Sequence, residues 1–352
     1  MVHVRLRRAA LFCTALGLVV VVWYWGSSSS PLPIRIATFN VWNAMFNWPL
    51  RCEFIGRELL GADVVALQEV PGQAALDELR GWMGSDVYRW SYYDDSASVA
   101  LVSRLPLDNV AATRLSFHAS DPDKNRRVLL SADVDTGTGG TLRVLAVHMS
   151  YDRTVQVRHM AEVRNVVERS LREDEVGAVV LLGDLNIYRD HDGPLRSLLQ
   201  VATADWTAID LRSNGQENDD DTFSNMPTPG LESRPDRILL FSNSRTGMIQ
   251  RAIAHTVTDS SDRYRALFSE AVLARRLAIA ARNDLPCEFD CGPRAVCQCG
   301  LCVLDTLPCP SPCDLCSSGD PAELAKIVSD RVMPEEFHAS DHRLVYADLL
   351  LR

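Results

Sequence analysis

The chain has 352 residues, a net charge of −10, 47% apolar and 23% charged residues, and ten cysteines. This composition excludes a mainly disordered, collagenous or coiled-coil chain and leaves ample length for a sizeable core. The acidic balance argues against a dedicated nucleic-acid binder, whose affinity rests on Lys and Arg at phosphates. It does not exclude an enzyme that touches nucleic acid in one cleft.

At the N-terminus, Arg5, Arg7 and Arg8 precede seventeen uncharged residues, Ala9 to Trp25, which close on Trp23, Tyr24 and Trp25. Basic residues before an apolar run read as a secretory signal or a signal anchor. The terminal aromatics suit a membrane interface, and no small-x-small cleavage site follows. The expectation is an uncleaved single-pass anchor at residues 9–25, with everything after Ser27 lumenal or extracellular. A cleaved signal and a secreted protein is the alternative.

From Ile34 onward the pattern changes to short β-rich runs bounded by turn residues. Strands are expected at Ile34–Asn40, Asp63–Gln68, Val99–Ser103, Arg127–Val134 and Leu142–His148. Others are expected at Ala178–Gly183, Arg237–Phe241, Arg251–Thr256 and Leu344–Leu350. Helical patterns fall at Arg51–Leu60, Gln73–Met83 and Thr154–Arg172, the last with Val155, Met160, Val163, Val166 and Val167 at helical spacing. Strands with interspersed helices and direct hairpins suggest layered α/β sheets covered by helices.

Six of these runs end abruptly in residues that bind metal or move protons. They are Ala37-Thr38-Phe39-Asn40, Ala66-Leu67-Gln68-Glu69, Ala146-Val147-His148, Leu182-Gly183-Asp184-Leu185-Asn186, Pro235-Asp236-Arg237-Ile238 and Ser340-Asp341-His342. One such segment would pass as a turn or a cap. Six in this order point to strand tips delivered to a common cleft.

These segments resemble the endonuclease/exonuclease/phosphatase superfamily, which includes deoxyribonucleases, apurinic endonucleases, neutral sphingomyelinases, inositol polyphosphate 5-phosphatases and tyrosyl-DNA phosphodiesterase. The resemblance covers about Ile34 to Thr256 and resumes at Phe337 to Leu350. It implies a four-layer α/β/β/α sandwich and metal-dependent phosphoester hydrolysis, with Mg²⁺ the expected ion and Mn²⁺ a possible substitute. By the same resemblance Glu69 and Asp341 are metal carboxylates, and Asn40 is the amide supporting the metal and phosphate. Asp184 and Asn186 orient the attacking water and hold a phosphate oxygen. Asp236 holds His342, and His148 bonds phosphate or acts as acid for the leaving group. Either His342 or Asp184 is the base.

Other residues carry less. Asn225 stands as either a cleft residue or a turn residue, and the acidic run Glu217–Asp221 reads as a solvated loop. Arg126 and Arg127 read as a solvated hairpin face, with contact to phosphate as the alternative. His159 and His191 read as surface histidines.

About eighty residues separate Thr256 from the Ser-Asp-His segment. A helical run, Asp262–Arg282, leads to eight cysteines between Cys287 and Cys316, and a second helix is expected at Pro321–Val332. The cysteines fit four disulfides in an oxidising lumen or two Zn²⁺ sites. The module stands either as a lid at the cleft mouth or as a decorative insertion. The expected division is therefore an anchor or signal and linker at 1–30, and the first part of the catalytic domain at 31–256. The inserted module follows at 257–336, and the last catalytic strand at 337–352.

The substrate expectation is a phosphoester, with a phospholipid or sphingomyelin-type headgroup favoured over nucleic acid. No Lys/Arg cluster stands beyond Asn125-Arg126-Arg127 and Arg275-Arg276 to form a basic groove, and the few lysines leave little to bind the several phosphates of an inositol polyphosphate. An extracellular or lumenal nuclease, and a receptor-like binding protein built on the cysteine module, are the alternatives.

Overall fold

The computed structural model describes residues 9–11, 20–22, 32–43, 48–119, 121, 124, 126–138, 140–188, 191–203, 205–211, 235–257, 263–264, 295–298, 301–304 and 339–352. In chain order the strands begin with β1 (Ala9–Leu11), β2 (Val20–Val22), β3 (Leu32–Asn40) and β4 (Val64–Gln68). There follow β5 (Trp90–Asp94), β6 (Val99–Ser103), β7 (Leu107–Arg114), β8 (Val128–Val134) and β9 (Thr141–His148). Then come β10 (Val176–Asp184), β11 (Trp206–Asp210), β12 (Asp236–Asn243) and β13 (Ile249–Thr256). The last are β14 (Ala295–Gln298), β15 (Leu301–Leu304) and β16 (Val345–Leu351). The helices are α1 (Trp48–Glu58), α2 (Gln73–Met83), α3 (Arg153–Ser170) and α4 (Gly193–Leu199).

Two six-stranded sheets dominate, ordered β11-β12-β10-β9-β8-β7 and β13-β16-β3-β4-β6-β5. Alternation along the strands builds the layers. On β10, Ala178, Val180 and Leu182 enter a core shared with Ile36, Val64 and Leu101 of the other sheet. The intervening Val179 and Leu181 pack with Met160, Val163 and Val167 of α3 and Leu195 of α4. On the far side, Val65 and Leu67 of β4 pack with Ile55 of α1 and with Leu76 and Leu79 of α2. The order is thus helix, sheet, sheet, helix, as expected.

Strands expected from alternation are present with ends shifted by at most two residues. Within the two large sheets, β5, β7 and β11 escaped the pattern, as did helix α4. β5 is half-buried at every position and β7 is almost wholly exposed, so neither carries a clean apolar face. β11 lies at a sheet edge, and α4 is only seven residues long.

Thr256 of β13 pairs with Val345 of β16, so the chain leaves the sheet and returns to the same point. Of the expected cysteine module only the hairpin of β14 and β15 is described, with Cys297 across from Cys302 in its register. The expected helices at 262–282 and 321–332, the bonding state of the eight cysteines, Asn225 and the acidic run 217–221 lie outside the described residues. The expected span at 9–25 is not helical where it is described: β1 and β2 form an antiparallel pair. Among the described residues no helix is long and apolar enough to cross a membrane.

Candidate active site

The sheet registers bring the polar strand tips together. His148 ends β9, Asp184 ends β10 and Asp236 begins β12, and across this sheet they stand side by side: Asp184 pairs with His148 and with Asp236. In the other sheet Asn40 pairs with Gln68, and Glu69 follows directly. The Ser340-Asp341-His342 segment precedes β16, whose Val345 pairs with Thr38 of β3. The Ser340 hydroxyl donates to the Asn40 carbonyl at 2.7 Å and accepts the His342 amide at 3.1 Å.

Two backbone features enforce these positions. Gly183 has φ 145°, and an added Cβ would lie 1.9 Å from the Val147 carbonyl oxygen, so only glycine lets β10 approach β9 so closely here. Glu69 adopts φ 58°, an unusual conformation for a side chain of its kind, which turns the chain out of β4 at the cleft.

All eight expected site residues meet in one cluster. Asn40 Nδ2 donates to Glu69 Oε1 at 3.0 Å and to Asp184 Oδ2 at 3.1 Å, while its Oδ1 accepts the Trp42 amide at 3.0 Å. The amide is therefore a clasp between two carboxylates. Asp184 Oδ1 accepts the Asn186 backbone amide at 2.8 Å, and Asn186 Nδ2 donates to the Met149 carbonyl at 2.9 Å. His342 Nδ1 lies 2.9 Å from Asp236 Oδ2, with both groups buried. Its Nε2 faces Asp184 at 3.7 Å and Asp341 at 3.9 Å. His148 Nε2 is 3.4 Å from Asp184 Oδ2 and 3.9 Å from Glu69 Oε1.

The electrostatics follow from burial and crowding. Burial, reinforced by Asp236, raises the Asp184 carboxyl to about 7 against the pull of His342. Burial and Glu69 raise Asp341 to about 6. Burial alone would lower His342, but Asp236, Asp341 and Asp184 outweigh it and hold the ring well above its ordinary value. Burial lowers His148 well below the ordinary value, aided by Arg127 and His342. Two histidines that both face Asp184 are thus shifted in opposite directions.

A cleft of about 450 Å³ opens over the cluster, lined also by Arg127, Tyr151 and Tyr188. Burial, then the neighbouring Asp184, Asp236 and Asp341, push the Tyr188 phenol up to about 12.

Arg127 is a correction. It is no solvated hairpin residue but 4% exposed, and it lines the cleft. His159 is likewise buried, its ring nitrogen 2.8 Å from the Ser116 carbonyl oxygen. One residue that carried no sequence signal supports the site from behind. Arg51, fully buried on α1, donates to the carbonyls of Val41, Asn43 at 3.3 Å and Ala339 at 2.6 Å. It thereby ties the chain beyond Asn40 to the chain before Ser340.

The sequence matches the Endonuclease/Exonuclease/phosphatase family over residues 37–342. The chain belongs to this family. Comparison with curated proteins finds no match. Among solved structures it is similar to an endonuclease/exonuclease/phosphatase family protein of Bacteroides thetaiotaomicron. That match has 14% identity and a TM-score of 0.56, covering 92% of this chain and 99% of that one. It is similar to a mannosyl-6-phosphatase of the same organism, with 14% identity and a TM-score of 0.53 over 90% and 99% of the two chains. It is similar, too, to truncated Caenorhabditis elegans TDP2, at 14% identity and a TM-score of 0.51 over 91% and 98%. At such identities these structures support the fold.

Members of the endonuclease/exonuclease/phosphatase family are metal-dependent phosphoester hydrolases, and this chain is one. The cluster fits a divalent ion. Ligand atoms of Asp184, Asp236 and His342 lie within 4.8 Å of one another. Glu69 and Asp341 extend the set with hard oxygen donors, and a bound cation would offset the burial, and secondarily the neighbouring carboxylates, that raise Asp184 and Asp341.

Proposed function

We propose that the chain is a Mg²⁺-dependent phosphodiesterase acting on the headgroup phosphodiester of a phospholipid or sphingomyelin-type lipid, held at a membrane through residues 9–25. The observation that carries this reading is the cleft's charge: among the described lining residues Arg127 is the single arginine, and lysine is absent. One guanidinium matches one phosphodiester anion, whereas a polyanion calls for a basic track along the groove.

In this reading Glu69 and Asp341 hold the ion. The Asp236–His342 contact already occupies Nδ1 of the ring, which leaves those two carboxylates better placed as ligands than the tighter Asp184, Asp236 and His342 group. Bound there, Mg²⁺ supplies Lewis-acid polarisation of a phosphoryl oxygen. Asp184, fixed by Asn40 and by the Asn186 amide, orients the attacking water. His342, fixed by Asp236, presents Nε2 to the same space, and Asp184 takes the water's proton. Arg127, Asn186 and His148 face the phosphate, His148 as a neutral donor. In an oxidising compartment the eight cysteines of the insert would pair as disulfides.

The test is a Mg²⁺-dependent hydrolysis screen of the full chain against sphingomyelin, phosphoinositides, and single- and double-stranded DNA. Release of a phosphorylated headgroup supports the lipid reading. Cleavage of DNA alone rejects it.

A further inference from the structure

Glu69 carries its carboxylate on an uncommon backbone. It has φ 58°, and Ser98, on the turn between β5 and β6, has φ 52°. Left-handed backbone is unfavourable for a residue with a Cβ and persists only where its surroundings fix it. Here the peptide units on both sides of Glu69 are held. Ahead of it, the Gln68 carbonyl accepts the Val41 amide at 2.9 Å. Behind it, Val70 is gripped at both backbone groups. Its amide donates to the Ser98 carbonyl at 3.0 Å, and its carbonyl accepts the Tyr93 hydroxyl at 3.1 Å and the Gly72 amide at 2.9 Å.

Tyr93 acts from outside the cleft. Along β5, Tyr92 packs against the core between the sheets, while Tyr93 packs against the core under α1 and α2, where Leu67, Val70 and Ala100 lie. The ring is anchored there, and its hydroxyl reaches back to the chain beyond Glu69. The exposed Asp95 carboxylate lies farther from that hydroxyl, at 3.4 Å. The turn that carries Ser98 is itself braced, because the Asp94 carboxylate accepts the Ser96 hydroxyl at 2.6 Å and the Ala97 amide at 3.1 Å. Ser96, Ala97 and Ser98 line the cleft together with Glu69.

We infer that Tyr93 is a positioning residue for the ion: through Val70 it holds Glu69 in the backbone conformation that aims its carboxylate into the cluster. Asn40 fixes that carboxylate at its tip, at 3.0 Å, and the β5–β6 turn fixes it at its root. Without the phenolic hydroxyl the Val70 carbonyl loses its donor from β5, and Glu69 relaxes toward extended backbone, drawing its carboxylate off the ion. Turn and ion act on one peptide unit, so ion binding in turn stiffens that unit. The inference rests on the reading that Glu69 is a ligand of the ion.

The test joins calorimetric titration of Mg²⁺ into the full chain, hydrogen exchange with and without the ion, and turnover of a soluble aryl phosphodiester. It compares the parent with Tyr93→Phe, Asp95→Ala and Glu69→Gln. Tyr93→Phe is expected to bind Mg²⁺ about 10-fold more weakly, the scale for residues that orient metal ligands. It is also expected to exchange the Val70 amide several-fold faster without the ion, and to regain the parental kcat once the ion saturates. In the parent, Mg²⁺ is expected to slow exchange of that amide, and Asp95→Ala is expected to bind the ion as the parent does. Parental ion affinity in Tyr93→Phe, a kcat that saturating Mg²⁺ does not restore, or an equal loss in Asp95→Ala would overturn the inference. Glu69→Gln keeps the two readings apart. If it binds Mg²⁺ as tightly as the parent, the ligand assignment fails and the role of Tyr93 with it. If its binding is lost while Tyr93→Phe binds as the parent, only the role of Tyr93 fails.

Discussion

Asp236 and His342 stand 106 positions apart in sequence, and their side chains meet at 2.9 Å in a buried contact between the start of one sheet's strand and the segment leading into the other's. The contact crosses the sandwich. It orients the ring so that the opposite nitrogen faces Asp184, and its charge, with those of Asp341 and Asp184, raises the imidazole above its ordinary value against the cost of burial.

Replacing Asp236 by Asn keeps the shape and removes the charge. The expected result is a fold intact by circular dichroism, with kcat for phosphodiester hydrolysis lowered about 100-fold or more, the scale of a misplaced acid–base group. Steady-state kinetics check this, and an Asp236→Asn enzyme with parental kcat would remove the dyad from the mechanism.

Asn40 bridges Glu69 and Asp184 through one amide nitrogen. Its replacement by Ala frees both carboxylates, and the ion concentration giving half-maximal activity is expected to rise about 10- to 100-fold, as for residues that orient metal ligands. A metal titration of activity, alongside calorimetric titration of the ion, separates this from a loss of chemistry.

Arg51 is expected to matter for stability and geometry together. In Arg51→Met the carbonyls of Val41, Asn43 and Ala339 lose a shared donor, at a cost of about 3 kcal/mol. The measurable outcome is a lowered Tm with kcat falling more than KM rises. Arg51→Lys, which restores the charge but not the fork, is expected to recover only part of both.

His159 yields a pH dependence with a defined sign. Burial lowers its folded-state value below the usual 6.5. Its contribution to stability is then complete above 6.5 and drains as pH falls through the lower, folded-state value, because the buried ring must be charged. Denaturant unfolding between pH 7 and pH 5 is expected to show a shallower acid loss in His159→Gln than in the parent; equal slopes would contradict the assignment.

Cys52 is buried and free. Burial, then Glu78, raise its thiol to about 12. Native protein at pH 8 is expected to leave Cys52 unalkylated until denaturant is added, a result read by peptide mass mapping.

The sandwich and the cluster were legible in the sequence because buried strands are short apolar runs and a polar residue at their end stands out. Leu182-Gly183-Asp184 is one such case. Arg51 and Arg127 were not, since an arginine in sequence looks solvated. Its burial here depends on carbonyls and a cleft wall supplied by segments far away, such as Ala339 on Arg51. β5 and β7 escaped for the converse reason: their half-exposed or exposed faces leave no alternation to detect.

The most direct test of the central claim is hydrolysis of sphingomyelin in mixed micelles by the parent chain and by Asp184→Asn, with and without Mg²⁺. The account expects phosphorylated headgroup to be released by the parent only when Mg²⁺ is present, and no release by the variant under either condition. Parental rates in Asp184→Asn, or undiminished release after the ion is chelated, would contradict it.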